Sequence, residues 1–345
     1  MDAMTVPAGA RPSPKAELMR MIVGNWASQA IYTAAKLELA DVLADGSLDL
    51  AAIADRVSAR PGELRRLLRA LESLGLFRDE GEDRFSATPL GAFLRKDRPD
   101  SLRPLSMFNG EELYDAWREL PYAVQTGEAA FERAHGSAIF DYLAEHGETG
   151  ALFDSVMATV HGAEAPGVVA SYDFSRFPTI VDVGGGKGSF VAEIVRRNEG
   201  VHGIVYDQPQ VAARAEAYLA EHGLSDRCSV VLGSFFDFVP PEADAYLLRH
   251  VIHDWRDDEA GRILSNCRDA MKPTAKLFIV ETIVPDGPAG PAAKLLDLNM
   301  LVICAGQERT RGEFERLLGR NGFHVEAIHA THSPRVALIE CSVTS

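Results

Sequence analysis

The sequence predicts an α/β protein: an open, doubly wound, Rossmann-like parallel sheet closed by an antiparallel hairpin, preceded by a mainly helical region. Three observations carry this. From Phe177 onward, short β-rich apolar runs alternate with helical stretches, the order that lays parallel strands side by side through crossover helices. The run Thr179 to Val183 passes through Gly184-Gly185-Gly186-Lys187-Gly188 into a helical pattern, the layout of a nucleotide site at the first crossover of such a sheet. Near the start, Leu18, Met19, Ile22, Val23, Trp26, Ile31 and Leu37 recur at three-to-four spacing, which is helical.

Bulk properties narrow the function. A chain of 345 residues can bury one large or two medium cores. Its 46% apolar and 25% charged content are ordinary for a globular protein, and a net charge of −15 argues against a nucleic-acid surface as its main business. No apolar run reaches the roughly 18 residues that span a bilayer. Residues 1–14 lack the charged start and apolar core of a secretory signal; a disordered leader and a cytoplasmic location are expected. Cys228, Cys267, Cys304 and Cys341 show no paired-ligand spacing, and the histidines form no His-x-x-x-His pattern. The cysteines are therefore expected to be reduced and mostly buried, and no metal is expected.

Taken in order, residues 15–100 read as helix, turn, helix and a small two-stranded wing. Pro61 suits the first turn of a helix whose stripe is Leu64, Leu67, Leu68, Leu71 and Leu74, and Gly75 to Phe85 supplies the wing. Such a winged helix-turn-helix could bind DNA through Arg65, Arg66 and Arg69. The surrounding Glu63, Glu72, Asp79, Glu80, Glu82 and Asp83 would repel phosphate, so a dimerisation and packing module is the better reading. Residues 101–165 read as a helical linker rich in aromatics, either core or the wall of a pocket for a flat apolar ligand. Residues 166–345 hold the sheet, with strands at Ile180–Val183, Gly203–Tyr206, Ser229–Leu232, Ala245–Leu248 and Leu277–Glu281. Val325–His329 and Val336–Glu340 around Ser333-Pro334 form the closing hairpin.

The carboxyl ends of the strands carry the chemistry, because open α/β sheets hold ligands there. A dinucleotide turn, G-x-G-x-x-G, would need glycine where Ser189 stands, so the Gly184-x-Gly186-x-Gly188 turn disfavours a nicotinamide cofactor. Asp207, about 20 residues beyond the turn, is placed to accept ribose hydroxyls; capping the helix after Pro209 is the competing reading. Phe235 suits a purine face and Ser234 its edge. His253 is the candidate base, and Trp255 a further wall for the adenine. A satisfied strand-end histidine competes for His253, and a cap for the helix near Asp257 competes for Asp254. Thr310-x-x-Glu313 is a capping box, which leaves Glu308 just before a helix N-terminus, where a carboxylate is favoured anyway.

With these motifs in succession, the chain resembles class I S-adenosylmethionine (SAM)-dependent small-molecule O-methyltransferases. It looks like the plant caffeic acid and isoflavone enzymes, and more closely like bacterial antibiotic-biosynthesis members such as the carminomycin and mitomycin O-methyltransferases. The resemblance spans nearly the whole chain. It rests on the winged-helix start, Asp182 to Gly188, His253-Asp254-Trp255, Glu281 and Glu308-Arg309-Thr310. It implies a SAM-binding sheet at 166–345, S-adenosyl-L-homocysteine as product, an aromatic hydroxyl-bearing substrate, and a homodimer formed through residues 15–100. It also implies that His253 takes the acceptor proton, flanked by Glu281 and Glu308. Asp182, Gly184, Gly186 and Asp207 fall on the cofactor pattern, Arg249 on an adenine-side position, and Phe153, Met157, Met300 and Cys304 are candidate pocket walls. Two departures stand out: Ser234 replaces a frequent aspartate, and Ala305-Gly306 replaces a frequent glycine pair. Arginine far outnumbers lysine, which suits a GC-rich bacterial genome and a secondary-metabolite pathway.

The implied reaction sets a physical demand. An ordinary histidine near pKa 6.5 facing a phenol near 10 is short by about 3.5 units, roughly 5 kcal/mol. Proton transfer must accompany attack, or a carboxylate such as Glu281 must stabilise the imidazolium. Relatives that keep the fold but catalyse hydroxylation, decarboxylation or pericyclic steps form the alternative; a winged-helix regulator is a more distant one.

Overall fold

The computed structural model describes residues 13–162 and 164–344, so most of the expected leader lies outside the described residues. The chain forms two compact units, Met1–Asp115 with Leu143–Val160 and Ala116–Tyr142 with His161–Ser345. Residues 101–165 thus contribute to both. Among the described residues, no helix is long and apolar enough to cross a membrane.

In the first unit, helices Pro14–Ile22 and Gly24–Lys36 precede the winged fold. The wing has three strands rather than two, because Leu48–Asp49 pairs antiparallel with Arg84 and Phe85. Asp49 ends that short strand by capping the next helix, its carboxylate accepting the Ala52 N–H at 2.9 Å. Leu64, Leu68 and Leu71 from the helix Pro61–Ser73 bury against Leu50, Ile53, Phe77 and Phe85. Arg65, one of the three arginines considered for DNA, is ion-paired with Asp83. Leu18, Met19, Ile22 and Trp26 remain more than half exposed.

The second unit is a seven-stranded sheet. Its strands are β1 (Thr179–Val183), β2 (His202–Asp207), β3 (Cys228–Leu232), β4 (Ala245–Arg249), β5 (Lys276–Glu281), β6 (Phe323–Ala330) and β7 (Ala337–Val343). Spatial order is β6-β7-β5-β4-β1-β2-β3, with β7 antiparallel between β5 and β6. The helices that concern the site are α1 (Ser189–Arg197), α2 (Pro209–Glu221), α3 (Asp257–Ala270), α4 (Pro291–Cys304) and α5 (Arg311–Arg320). β1 is buried on both faces because both are covered. Ile180 packs with Phe190, Val191 and Ile194 of α1, while Val181 and Val183 pack with Ile263 and Leu264 of α3. Cys228, Cys267 and Cys341 are buried free thiols, and Cys304 is half-buried.

Two short segments absent from the sequence reading matter for the site. Ile283–Val284, just past β5, pairs in parallel with Arg309–Thr310. Two residues carry no strand periodicity, so this pairing leaves no local signal. It brings the Glu308 segment beside the end of β5. Thr310 then caps α5 through the expected box with Glu313.

Candidate active site

The glycine turn leaves β1 at its carboxyl end. Gly184 has φ +71°, and a Cβ there would lie 2.9 Å from Val251 Cγ2 and 3.6 Å from Phe235 Cε1. Only glycine lets the backbone pass so close in that conformation. Asp207, ending the neighbouring β2, accepts the Gly186 N–H at 2.8 Å and the Gln208 N–H at 2.7 Å. Its carboxylate therefore buttresses the turn as well as the start of α2. Asp182 is 2% exposed, and burial lifts its pKa to about 6 although Arg249 opposes this. Arg249 ends β4, which pairs with β1, and its guanidinium lies 5.2 Å from the Phe190 ring centroid.

Beyond β3, Ser234 Oγ accepts the Phe236 N–H at 3.2 Å, so this hydroxyl is partly used in its own turn. Phe235, Phe236 and Trp255 form an edge-to-face trio, with Trp255 at 4.7 Å from Phe236 and 6.0 Å from Phe235. Asn266 of α3 holds the Phe235 carbonyl at 2.8 Å.

His253 sits on a single helical turn, Ile252–Asp254, just after β4, and is 8% exposed. Parallel pairing of Arg249 with Val280 sets Glu281 beside this turn. Glu281 Oε1 accepts the backbone N–H of His253 at 3.0 Å, while Glu308 Oε1 lies 2.7 Å from the ring Nδ1. The resemblance implies both glutamates beside the histidine; the fold gives Glu308 the ring and Glu281 the backbone. Nε2 faces Asp254 Oδ1 at 3.6 Å, so Asp254 belongs to this cluster, and α3 is instead preceded by Arg256 at its cap position. Burial alone would depress the His253 pKa, but Asp254, Glu308 and Glu281 outweigh it and raise it to about 10. Burial raises Glu281 to about 7, and also lifts Asp254.

A second cluster has no counterpart in the sequence reading. Glu164 is 3% exposed, and its Oε2 lies 2.7 Å from His250 Nε2 and 3.3 Å from His161 Nδ1. The three ligand-type atoms fall within 4.8 Å of one another, but Arg249 Nη1 is already 3.9 Å from the same oxygen and supplies the cation. The three-residue spacing of His161 and Glu164, which end one helix and begin the next, is a local trace of it. His250 adopts φ +53°, unusual for a residue with a side chain.

Met300 and Cys304 lie on α4, Met300 at 6% exposure and Cys304 with Sγ 3.9 Å from Asp254 Oδ1. Phe153 and Met157 belong to the first unit, where Phe153 packs edge-on against Phe108 at 5.4 Å. Among the described residues, Asp182 Oδ2, Glu164 Oε1, Glu281 Oε2 and Glu308 Oε2 are buried without a hydrogen-bond partner. Such acceptors suit a ligand that is cationic or rich in donors.

Residues 117–324 match the O-methyltransferase domain family, and residues 19–97 the O-methyltransferase dimerisation domain. A phenazine O-methyltransferase from Lysobacter antibioticus is 43% identical over 316 residues, 92% of this chain and 93% of that protein. An 8-amino-8-demethylriboflavin N,N-dimethyltransferase from Streptomyces davaonensis is 38% identical over 320 residues, 91% of each chain. Among solved structures, an O-methyltransferase from neocarzinostatin biosynthesis, in complex with SAM and 2-hydroxy-5-methyl naphthoic acid, matches with a TM-score of 0.82 at 31% identity. That match covers 92% of this chain and 96% of the other.

Proposed function

The chain belongs to the O-methyltransferase family, and we propose that it methylates a hydroxyl of an aromatic small molecule in bacterial secondary metabolism, with His253 as general base. The observation that carries this reading is the His253 environment: a buried imidazole bonded to Glu308 at Nδ1, with Nε2 making no bond shorter than its 3.6 Å approach to Asp254 Oδ1. SAM, when bound, supplies an electrophilic methyl group on a sulfonium centre and leaves as S-adenosyl-L-homocysteine. Asp182 and the Gly184–Gly186 backbone would hold its amino-acid end, Asp207 its ribose, and Phe235, Trp255, Ser234 and the Arg249 position its purine. The buried, unpartnered Asp182 Oδ2 supports a donor-bearing cationic ligand at that place. Met300 and Cys304 would line the acceptor pocket. The dimerisation-domain match and the exposed Ile22 and Trp26 support a homodimer.

The proton account favours an oxygen acceptor. Three carboxylates raise His253 to about 10, which closes the gap of about 3.5 units between an ordinary imidazole and a phenol. At neutral pH such a ring is mostly imidazolium, so the competent form is its neutral minority, whose population rises with pH. In that form a proton moves from the acceptor hydroxyl to Nε2 at nearly no net cost, while alignment supplies roughly 7–11 kcal/mol of the barrier. Glu308 keeps Nδ1 protonated and the ring oriented throughout. The riboflavin-type relative acts on an amine, and an amine nucleophile carries its own lone pair and needs no base before attack. The test incubates the protein with labelled SAM and a panel of phenols and anilines. Label on oxygen that disappears in His253→Ala supports the proposal; label only on nitrogen, indifferent to His253→Ala, overturns it.

A further inference from the structure

We propose that Arg309 is a positioning residue: its guanidinium clamps the turn that carries His253 and so sets the geometry of the base. The inference rests on the role of His253 proposed above. Arg309 is 1% exposed. Nη1 donates to the Ile252 carbonyl at 3.0 Å and to the Gln307 carbonyl at 3.5 Å, and Nη2 donates to the Trp255 carbonyl at 2.9 Å. Nε and Nη2 also reach Asp257 Oδ1, at 3.1 and 2.9 Å.

Ile252 and Trp255 bracket His253 and Asp254. The Ile252 carbonyl also takes the Trp255 N–H at 3.3 Å, whereas the Trp255 carbonyl lies past the end of the one-turn helix, where carbonyls lack intrahelical donors. A buried guanidinium is a costly way to provide them, since apolar side chains fill such space without desolvating a charge. Its use here is explained by what only a planar fork can do, which is to hold two carbonyls and a carboxylate at fixed mutual angles.

The rest of the segment works on the same turn. The Gln307 N–H donates to the His253 carbonyl at 2.8 Å, and Glu308 takes the His253 ring at 2.7 Å. Gly306 permits the approach, because a Cβ there would lie 2.1 Å from the His253 carbonyl oxygen. Residues 306–309 thus grip the backbone before, at and after His253 while presenting the ring's partner. Trp255, the proposed purine wall, is held by the same fork, so base and cofactor wall share one support.

Lysine keeps the charge but cannot span both carbonyls. In the full-length protein, Arg309→Lys should lower kcat by roughly 10- to 100-fold, the scale of a displacement near 1 Å. The acceptor KM should stay within about threefold, and the pH limb of kcat should move to lower pH as the Glu308 bond loosens. The independent readout is the Nδ1–H resonance of His253 in protein with histidine labelled by nitrogen-15 and saturated with S-adenosyl-L-homocysteine. It should be present in wild type and broadened or lost in Arg309→Lys. Loss of that resonance in a protein that methylates no acceptor would uphold the clamp and reject the proposed function. An unchanged resonance and pH limb overturn the clamp, even if the variant melts earlier. If Arg309→Lys does not fold, Asp257→Asn, altered at the half-exposed end of the fork, decides by the same two readouts.

Discussion

His250 and His253 stand three residues apart after β4, and each ring is bonded to a buried glutamate at 2.7 Å. Their charge states are nonetheless opposite. At His250 burial dominates; Glu164 pulls the other way, but it also serves His161 and Arg249, and the ring is pushed down to about 3. At His253 burial acts in the same sense, yet Asp254, Glu308 and Glu281 outweigh it and the ring rises to about 10. The hydrogen bonds are equal in length, so bond length does not decide the matter. The ratio of carboxylates to cations does. Glu164, surrounded by donors, has its carboxyl held well below the usual range despite burial, and acts as an anchor. Around His253 the carboxylates outnumber the imidazole, which favours the charged ring and holds its proton to high pH.

The contrast is broken or sharpened most directly at the histidines. His253→Ala should cut turnover by roughly 10²–10⁴ with SAM binding nearly intact. His250→Asn, which keeps an N–H donor and tolerates positive φ, should cost less than about tenfold, the low side of that range. Equal losses in steady-state assays would erase the distinction between them. Glu308→Gln comes next, with a loss on the order of 10- to 100-fold, as for outer partners of functional histidines. Removing a carboxylate destabilises the imidazolium, so the His253 pKa falls and the limb of the kcat profile moves to lower pH. A limb that stays put, or moves up, would show that Glu308 does not control the proton.

Stability tests separate the pairs further. Because the His253 pKa is raised, its contribution is fully present below about pH 6.5 and is lost as pH rises through about 10. Glu164 is the reverse case, with a depressed pKa. Its contribution is present above about pH 4.3 and is lost as pH falls further. Glu164→Gln should therefore cost about 1–3 kcal/mol near neutrality, with the gap to wild type closing in acid. Denaturant melts at several pH values would measure this, and a gap constant with pH would contradict it. The smallest effect is expected at Ala305, which holds φ +58°. Ala305→Gly should raise stability by roughly 0.5 kcal/mol, the left-handed penalty relieved less the added chain entropy. A lower melting temperature would mean that the alanine methyl makes a contact worth more than the strain.

Much of the scaffold was legible in local pattern. The apolar runs at β1, β4 and β5, the capping box Thr310–Glu313 and the closing hairpin each leave a signal within a few residues, because strand burial, helix capping and turns are local physics. The glycine turn and the His253 stretch were legible as motifs. Glu164 was not: its bond to His250 spans 86 positions and depends on which helix end packs beside β4. Arg309 was read as one letter of a motif, since nothing in its neighbourhood says that its fork would meet Ile252 and Trp255. Leu48–Asp49 and Ile283–Val284 are too short to show strand periodicity and exist only because a partner strand lies alongside.

Residue pattern on its own thus determined the elements, their order and the edge of the sheet where ligand and reactive groups would gather. Packing decided which carboxylate faces which nitrogen. The Glu308–His253 bond joins residues 55 positions apart, and whether burial or charge wins at a histidine depends on how many carboxylates the fold brings within reach. Spacing along a chain carries periodicity and caps. It does not carry the local dielectric or the local count of charges, and those are what set His253 and His250 apart.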